Sequence, residues 1–309
     1  MELRHLRYFV AVAEELHFGR AAERVGIAQP PLSKQIQQLE DEIGVKLFKR
    51  SKRRVSLTHA GKTFLNEARQ TIDLSERAVR LAQRADRGEV GRLVVGFVGS
   101  ATYSFFPYAL RSFRTRFPHV ELVLRELTTY EQLDGLHRKA VDAGFLRQPV
   151  KDDALFIETL LQEPFIVALP SQHVLASRPR ISLRTLAQEG FVMFSQQQRT
   201  TFHDLVIALC HEAGFSPKVV QEAVRIPTVL GLISAGMGLT LVPASIQKLQ
   251  FAGVVYRDLA EVDRMTALAM AYRRDDESPV LRSFLNVTRE LTAQTHGPNT
   301  SFSEDPQSS

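Results

Sequence analysis

The chain has 309 residues, 44% hydrophobic and 24% charged, an ordinary globular balance with length for two or three domains of about 150 residues each. A single cysteine excludes an internal disulfide and suits a reducing, cytoplasmic setting, and MELRHLRYFV lacks the pattern of a secretory signal. The whole net charge of +5 lies in residues 1–90, which hold 17 bases and 12 acids against 22 of each in residues 91–309, so a polyanionic partner would be met by the first third of the chain.

Leu3, Leu6, Phe9, Val10, Ala13 and Leu16 recur at helical spacing and predict a first helix over 3–16. A second runs from His17 to Val25 and turns at Gly26, which takes a left-handed backbone without a Cβ penalty. A third opens on Gln29-Pro30-Pro31, where missing amide donors cost nothing, carries Leu32, Ile36, Leu39 and Ile43 on one face, and ends at Gly44. Val45–Leu57 reads as a β-hairpin with Ser51-Lys52 near its tip, and six bases fall between Lys46 and Arg54. This is the layout of a winged helix-turn-helix over 1–58, a fold that places one helix in the major groove of double-stranded DNA. Gln29, Ser33, Lys34 and Gln37 are the candidates for base edges, and Pro30 and Pro31 suit apolar contact with a thymine methyl. Lys49, Arg50, Lys52, Arg53 and Arg54 would reach phosphate or the minor groove.

From Thr58 to Arg87 the pattern is helical again, with Gly61, Leu65, Ala68, Ile72, Ser75, Val79 and Ala82 forming a coiled-coil-like seam. A linker helix over 59–90 that pairs two subunits follows, with Gly88 and Gly91 as a hinge. Strand and helix then alternate, predicting a mostly parallel α/β sheet. Strands are expected at 93–98, 120–127, 144–147, 165–169, 191–194, 219–222, 239–242 and 266–272. Helices are expected at 104–117, 130–141, 183–188, 202–213, 227–235 and 280–291. The charge-free run between Arg225 and Lys248 is broken by Pro227, Gly231, Gly236, Gly238 and Pro243, so it reads as helix, turn and strand rather than a membrane span. The last residues, 294–309, form a polar tail expected to be disordered.

Ligands of open α/β sheets bind beyond the carboxyl ends of strands. Ser100 and Thr128 each follow a strand and precede a helix, where free amides favour an anion, and Gly99 permits close approach. Both hydroxyls also read as plain helix caps, which is compatible with ligand contact. There is no HExxH, GxSxG or phosphate-binding loop, Gly236-Met237-Gly238 precedes a strand instead of following one, and adjacent Cys210 and His211 have no spaced ligand partners. No enzyme, metal site or cofactor is expected.

LRYFVAVAEELHFGRAAERVGIAQPPLSKQIQQLEDEIGVKLFKR (6–50) resembles the N-terminal domain of LysR-type transcriptional regulators, and the resemblance continues through ALPSQHVLA (168–176) and VLGLISAGMGLTLVP (229–243). GFVGSATY (96–103) and residues 2–19 resemble the branch with regulators of aromatic-acid catabolism and acetoin synthesis. The resemblance implies an α/β architecture: winged helix-turn-helix, linker helix, and a two-lobed, periplasmic-binding-protein-like effector domain over 91–293. Lobe I would take 91–161 and 267–293, and lobe II 162–266. It implies a homodimer or homotetramer, a small organic acid between the lobes, RNA polymerase as partner and activation as outcome. It adds Arg147, Thr201 and Phe202 to the cleft, with Phe194 and Thr228 as weaker members. Arg147 would pair either with a ligand carboxylate or with a structural carboxylate bridging the lobes. The alternatives are a regulator without an inducer and a solute-binding protein of the same two-lobed fold.

Overall fold

The computed structural model describes residues 1–51, 54–195 and 201–295. Lys52, Arg53 and the tail beyond Thr295 lie outside them. The chain divides into two compact units, Met1–Arg84 and Ala85 onward.

The first unit holds α1 (Leu3–Glu15), α2 (Phe18–Val25), α3 (Gln29–Ile43), the hairpin β1 (Phe48–Arg50) and β2 (Val55–Leu57), and most of α4 (His59–Asp86). Each boundary has a local cause. His17 caps α2 through Nδ1, which accepts from the amides of Gly19 and Arg20. Gly26 closes α2 at φ +69°, a conformation costly for a residue with a Cβ. Pro30 and Pro31 occupy the first turn of α3. Leu6, Phe9, Val12, Leu32, Ile36, Leu39, Leu47 and Phe48 form the core, with Phe9 5.3 Å from Phe48 and 5.0 Å from Phe64 between ring centres. Gly61 permits the close approach of α4, since a Cβ there would lie 2.1 Å from the Leu47 carbonyl oxygen.

This packing corrects the seam read on α4. Gly61 and Ala68 are buried, and Leu65 and Ile72 pack against the unit's own core. Of the seam as read, only the later Val79 (56% exposed) and Ala82 are exposed, and beside them stand two large side chains outside that seam, Leu74 (65%) and Leu81 (42%).

The second unit begins with β3 (Gly91–Phe97), a 3-10 turn (Gly99–Tyr103), α5 (Phe106–Arg116), β4 (Val120–Glu126), α6 (Thr129–His137) and β5 (Ala143–Arg147). The 16-residue β6 (Leu155–Pro170) follows, then β7 (Arg180–Ser182), β8 (Gly190–Phe194), α7 (Thr201–Glu212), β9 (Lys218–Ala223) and α8 (Ile226–Ser234). The unit ends with β10 (Thr240–Pro243), β11 (Val254–Ala260), β12 (Met265–Arg273) and α9 (Pro279–Thr295). Eight strands make one sheet in the order β4-β3-β5-β12-β6-β11-β7, with β10 also on β6, while β8 and β9 pair separately. Two large cores flank this arrangement, one around Val95, Phe105, Phe113, Phe145 and Phe284, the other around Val167, Phe191, Val206, Val229 and Leu241.

The sheet is mixed, not mostly parallel. β3 runs parallel to β4 and β5, β7 to β11, and β8 to β9. β6 is antiparallel to β12, β10 and β11, and β12 is antiparallel to β5. The cause is the long strand itself. Leu155–Pro164 pairs with returning β12 in the first lobe, and Phe165–Pro170 pairs with β10 and β11 in the second. The charge-free run forms α8 and β10, as helix, turn and strand, and no helix among the described residues is long and apolar enough to cross a membrane.

Four local expectations fail. The helix expected from Ser104 begins at Phe106, and that expected over 183–188 is a 3-10 turn, Leu183–Leu186. Gly88, read as a hinge, is buried where a Cβ would lie 2.4 Å from the Pro279 carbonyl oxygen. The final helix runs to Thr295, so it takes in the first two residues read as tail.

Candidate functional site

α3 turns Leu32, Ile36, Leu39 and Glu40 into the core of the first unit. Gln29, Pro30, Pro31, Lys34 and Gln37 are exposed and Ser33 is half-buried. Gln29, Ser33 and Gln37 are four residues apart and align in one row along the helix, with Lys34 beside them. All the candidates proposed for base reading therefore share the outward side.

The wing is held to this helix by Glu40, which sequence reasoning missed. Its Oε1 accepts from the amides of Leu47 (2.9 Å) and Phe48 (3.0 Å), and its Oε2 lies 3.5 Å from Arg50 and 3.5 Å from Lys46. A nearly buried carboxylate needs such partners. Arg50 is thereby a brace: its guanidinium also sits 4.8 Å from the Phe18 ring centre and donates to Ser33 Oγ at 3.4 Å. Lys49 and Arg54 are exposed, and Arg54 closes the hairpin through its backbone, its carbonyl accepting from the Ser51 amide and its amide donating to Ser51 Oγ. Lys52 and Arg53 fall outside the described residues.

In the second unit a cavity of about 390 Å³ lies between the two lobes. Gly99, Ser100, Thr128, Arg147 and Phe202 all line it, together with Phe194; Thr228 does not. Thr201 opens α7, the helix that carries Phe202. Phe202 stacks on Phe165 at 5.6 Å and meets Phe194 edge-on at 5.5 Å.

The polar groups are more committed than their spacing suggests. Ser100 sits in the 3-10 turn and is not a helix cap; its Oγ accepts from Arg147 Nε at 3.1 Å. Thr128 does cap α6, and reciprocally with Glu131: Glu131 N donates to Thr128 Oγ1 (3.2 Å), while Thr128 N (2.7 Å) and Oγ1 (2.9 Å) donate to Glu131 Oε2. A carboxylate of the chain itself thus occupies that helix end. Arg147, 2% exposed at the end of β5, pairs with Glu163 Oε1 at 2.9 Å. Glu163 Oε2 accepts from the amide of Ser245, just past β10, at 2.6 Å. The structural carboxylate bridging the lobes is therefore present. Burial pulls the Arg147 pKa below the usual guanidinium range, against the opposing pull of Glu163.

Two further charges at the cavity escaped the sequence reading. Arg225, preceding α8, pairs with Glu126, which ends β4, at 2.5 Å. A Cβ on Gly99 would come within 3.0 Å of the same Glu126 carboxylate. No spacing signal links positions a hundred residues apart. Cys210 is buried, its thiol pushed up to about 12, and no cluster of three metal-ligating side chains occurs among the described residues.

Residues 3–62 match the family model for the bacterial regulatory helix-turn-helix protein, lysR family, and residues 86–293 match the LysR substrate binding domain. The chain belongs to the LysR family. This LysR-type chain is 45% identical over 288 residues to the transcriptional regulator AlsR of Bacillus subtilis, covering 93% of this chain and 95% of that protein. It is 37% identical over 287 residues to CatR of Pseudomonas putida, covering 93% and 98%. The structure of full-length CbnR complexed with its target DNA matches with a TM-score of 0.85 at 30% identity, over 94% of this chain and all of that one. Full-length BenM matches with a TM-score of 0.62 at 33% identity, over 99% of this chain. The LysR chain is thus a DNA-binding transcriptional regulator with a two-lobed effector domain, and neither an enzyme nor a solute-binding protein.

Proposed function

We propose that this LysR-type regulator reads a two-fold related operator with α3 and its wing, and is switched by a small organic acid held between the lobes. Gln29, Pro30, Pro31, Ser33, Lys34 and Gln37 face the bases. Lys49, Arg54, Lys52 and Arg53 meet the backbone or minor groove, with Arg50 held against Glu40 to fix the wing. The exposed stripe of α4 pairs two chains, and two such pairs make a homotetramer in the cytoplasm that activates transcription through RNA polymerase. The domains divide as 1–58, 59–90 and 91–293.

The observation that carries the inducer reading is the convergence of Gly99, Ser100, Thr128, Arg147 and Phe202 on one cavity from both lobes. An acid that meets Arg147 competes with Glu163 for its guanidinium, and so has different affinity for two lobe arrangements. That difference alone shifts the population of regulator shapes and with it the bend or spacing imposed on the operator. A thermal-shift screen of small carboxylic acids on the full chain, followed by a promoter reporter, tests this. An acid that raises the melting temperature and changes transcription in the wild type, but not in Ser100→Ala, supports it. Transcription unchanged by every acid that binds favours regulation without an inducer, a reading to which the internally paired Arg147 and the Glu131-filled helix end lend weight.

A further inference from the structure

We propose that His17 is a DNA-contact residue whose neutral imidazole donates one hydrogen bond, through Nε2–H, to a backbone phosphate beside the head of α3. His17 Nδ1 accepts from the amides of Gly19 at 3.1 Å and Arg20 at 3.2 Å. A ring nitrogen that accepts from two amides carries no proton, so the proton of the neutral ring sits on Nε2. The residue is exposed, so this donor faces outward with its tautomer already fixed.

Its position places it at the reading edge. The ring and the Gln29 side chain converge on Gly19: the point where a Cβ would stand lies 3.0 Å from His17 Cε1 and 3.6 Å from Gln29 Oε1. Gln29 is the first residue of α3, so the heads of α2 and α3 are neighbours. In a helix-turn-helix the first helix crosses the DNA backbone while the start of the second faces base edges. A group on α2 that abuts Gln29 therefore stands where the backbone borders the groove. The bases further along α2 are turned to internal partners, Arg20 to Glu15 at 3.2 Å and Arg24 to Glu14 at 2.7 Å. The imidazole adds a neutral donor at that edge, beside the positive end of α2.

The test uses the full chain and two unrelated mixed-sequence duplexes, with affinity read by fluorescence anisotropy over a range of salt. His17→Asn keeps an N-cap oxygen and removes Nε2–H. It should bind both duplexes about three- to tenfold more weakly with an unchanged melting temperature. Because a neutral donor releases no counterion, the slope of log affinity against log salt should not change; a fall of about 0.9 would mean a lost cationic contact and would overturn the neutral-donor assignment. His17→Asp also caps well but repels phosphate, so its loss should exceed that of His17→Asn. Wild-type affinity in either variant rejects the contact, and if His17→Asn melts early, His17→Asp alone decides.

Discussion

Arg147 and Glu163 meet at 2.9 Å at the junction of the lobes, 2% and 5% exposed, with Ser100 on the guanidinium Nε and the Ser245 amide on the other carboxylate oxygen. The pair therefore links the end of β5, the crossing strand β6 and the segment after β10. Breaking it from one side leaves a buried charge without its partner. Glu163→Ala should cost the second unit about 3–5 kcal/mol, seen as a lowered denaturant midpoint, whereas Arg147→Met/Glu163→Leu should recover most of that loss. Equal stability of the single and double variants would show that the pair does not act as a unit.

Lys34 and Gln37 share the exposed side of α3 but should fail differently. Lys34→Ala should weaken binding to all duplexes and reduce the salt slope by about 0.9 per contact. Gln37→Ala should cost about 1–3 kcal/mol on the operator alone and relax discrimination at one base pair. Competition binding with single-base operator variants separates the two.

The first unit was legible because its punctuation is local. His17, Gly26, the Pro30-Pro31 pair and Gly44 each mark a boundary within a few residues of where it falls, and Leu32, Ile36 and Leu39 repeat at the helix period. The cleft was legible in outline, since Ser100 and Thr128 follow strands and do line one cavity with Arg147 and Phe202. Of β6 only the second half, expected at 165–169, was legible; Leu155–Pro164 was not, because it serves the other lobe and its run carries Glu158, Glu163 and Pro164, which hide any single alternation. Nor were Glu40–Arg50 and Glu126–Arg225, whose pairing depends on the assembled fold.

Gly61 is a position where the smallest change should be felt. A Cβ would sit 2.1 Å from the Leu47 carbonyl oxygen, a backbone atom held by the amide of Thr58. Gly61→Ala should therefore lower stability by about 1–3 kcal/mol despite the better helix propensity of Ala. Equilibrium unfolding followed by circular dichroism checks this, and a neutral result would mean that α4 can lift away from the hairpin at little cost.

Glu158 gives a pH dependence of known sign. Arg289 binds its carboxylate with two hydrogen bonds, at 2.6 and 2.9 Å, and holds its pKa below the usual carboxylate range, against burial and with help from the Tyr272 hydroxyl. A carboxylate whose folded pKa is depressed contributes stability that is fully present above its unfolded pKa and is lost as pH falls through the folded value. The stability difference between wild type and Glu158→Gln should thus be present at neutral pH and vanish in acid, below the usual carboxylate range. Urea unfolding across that range measures it. A difference that persisted or grew in acid would assign the loss to packing of the Tyr272–Arg289 cluster instead of to charge.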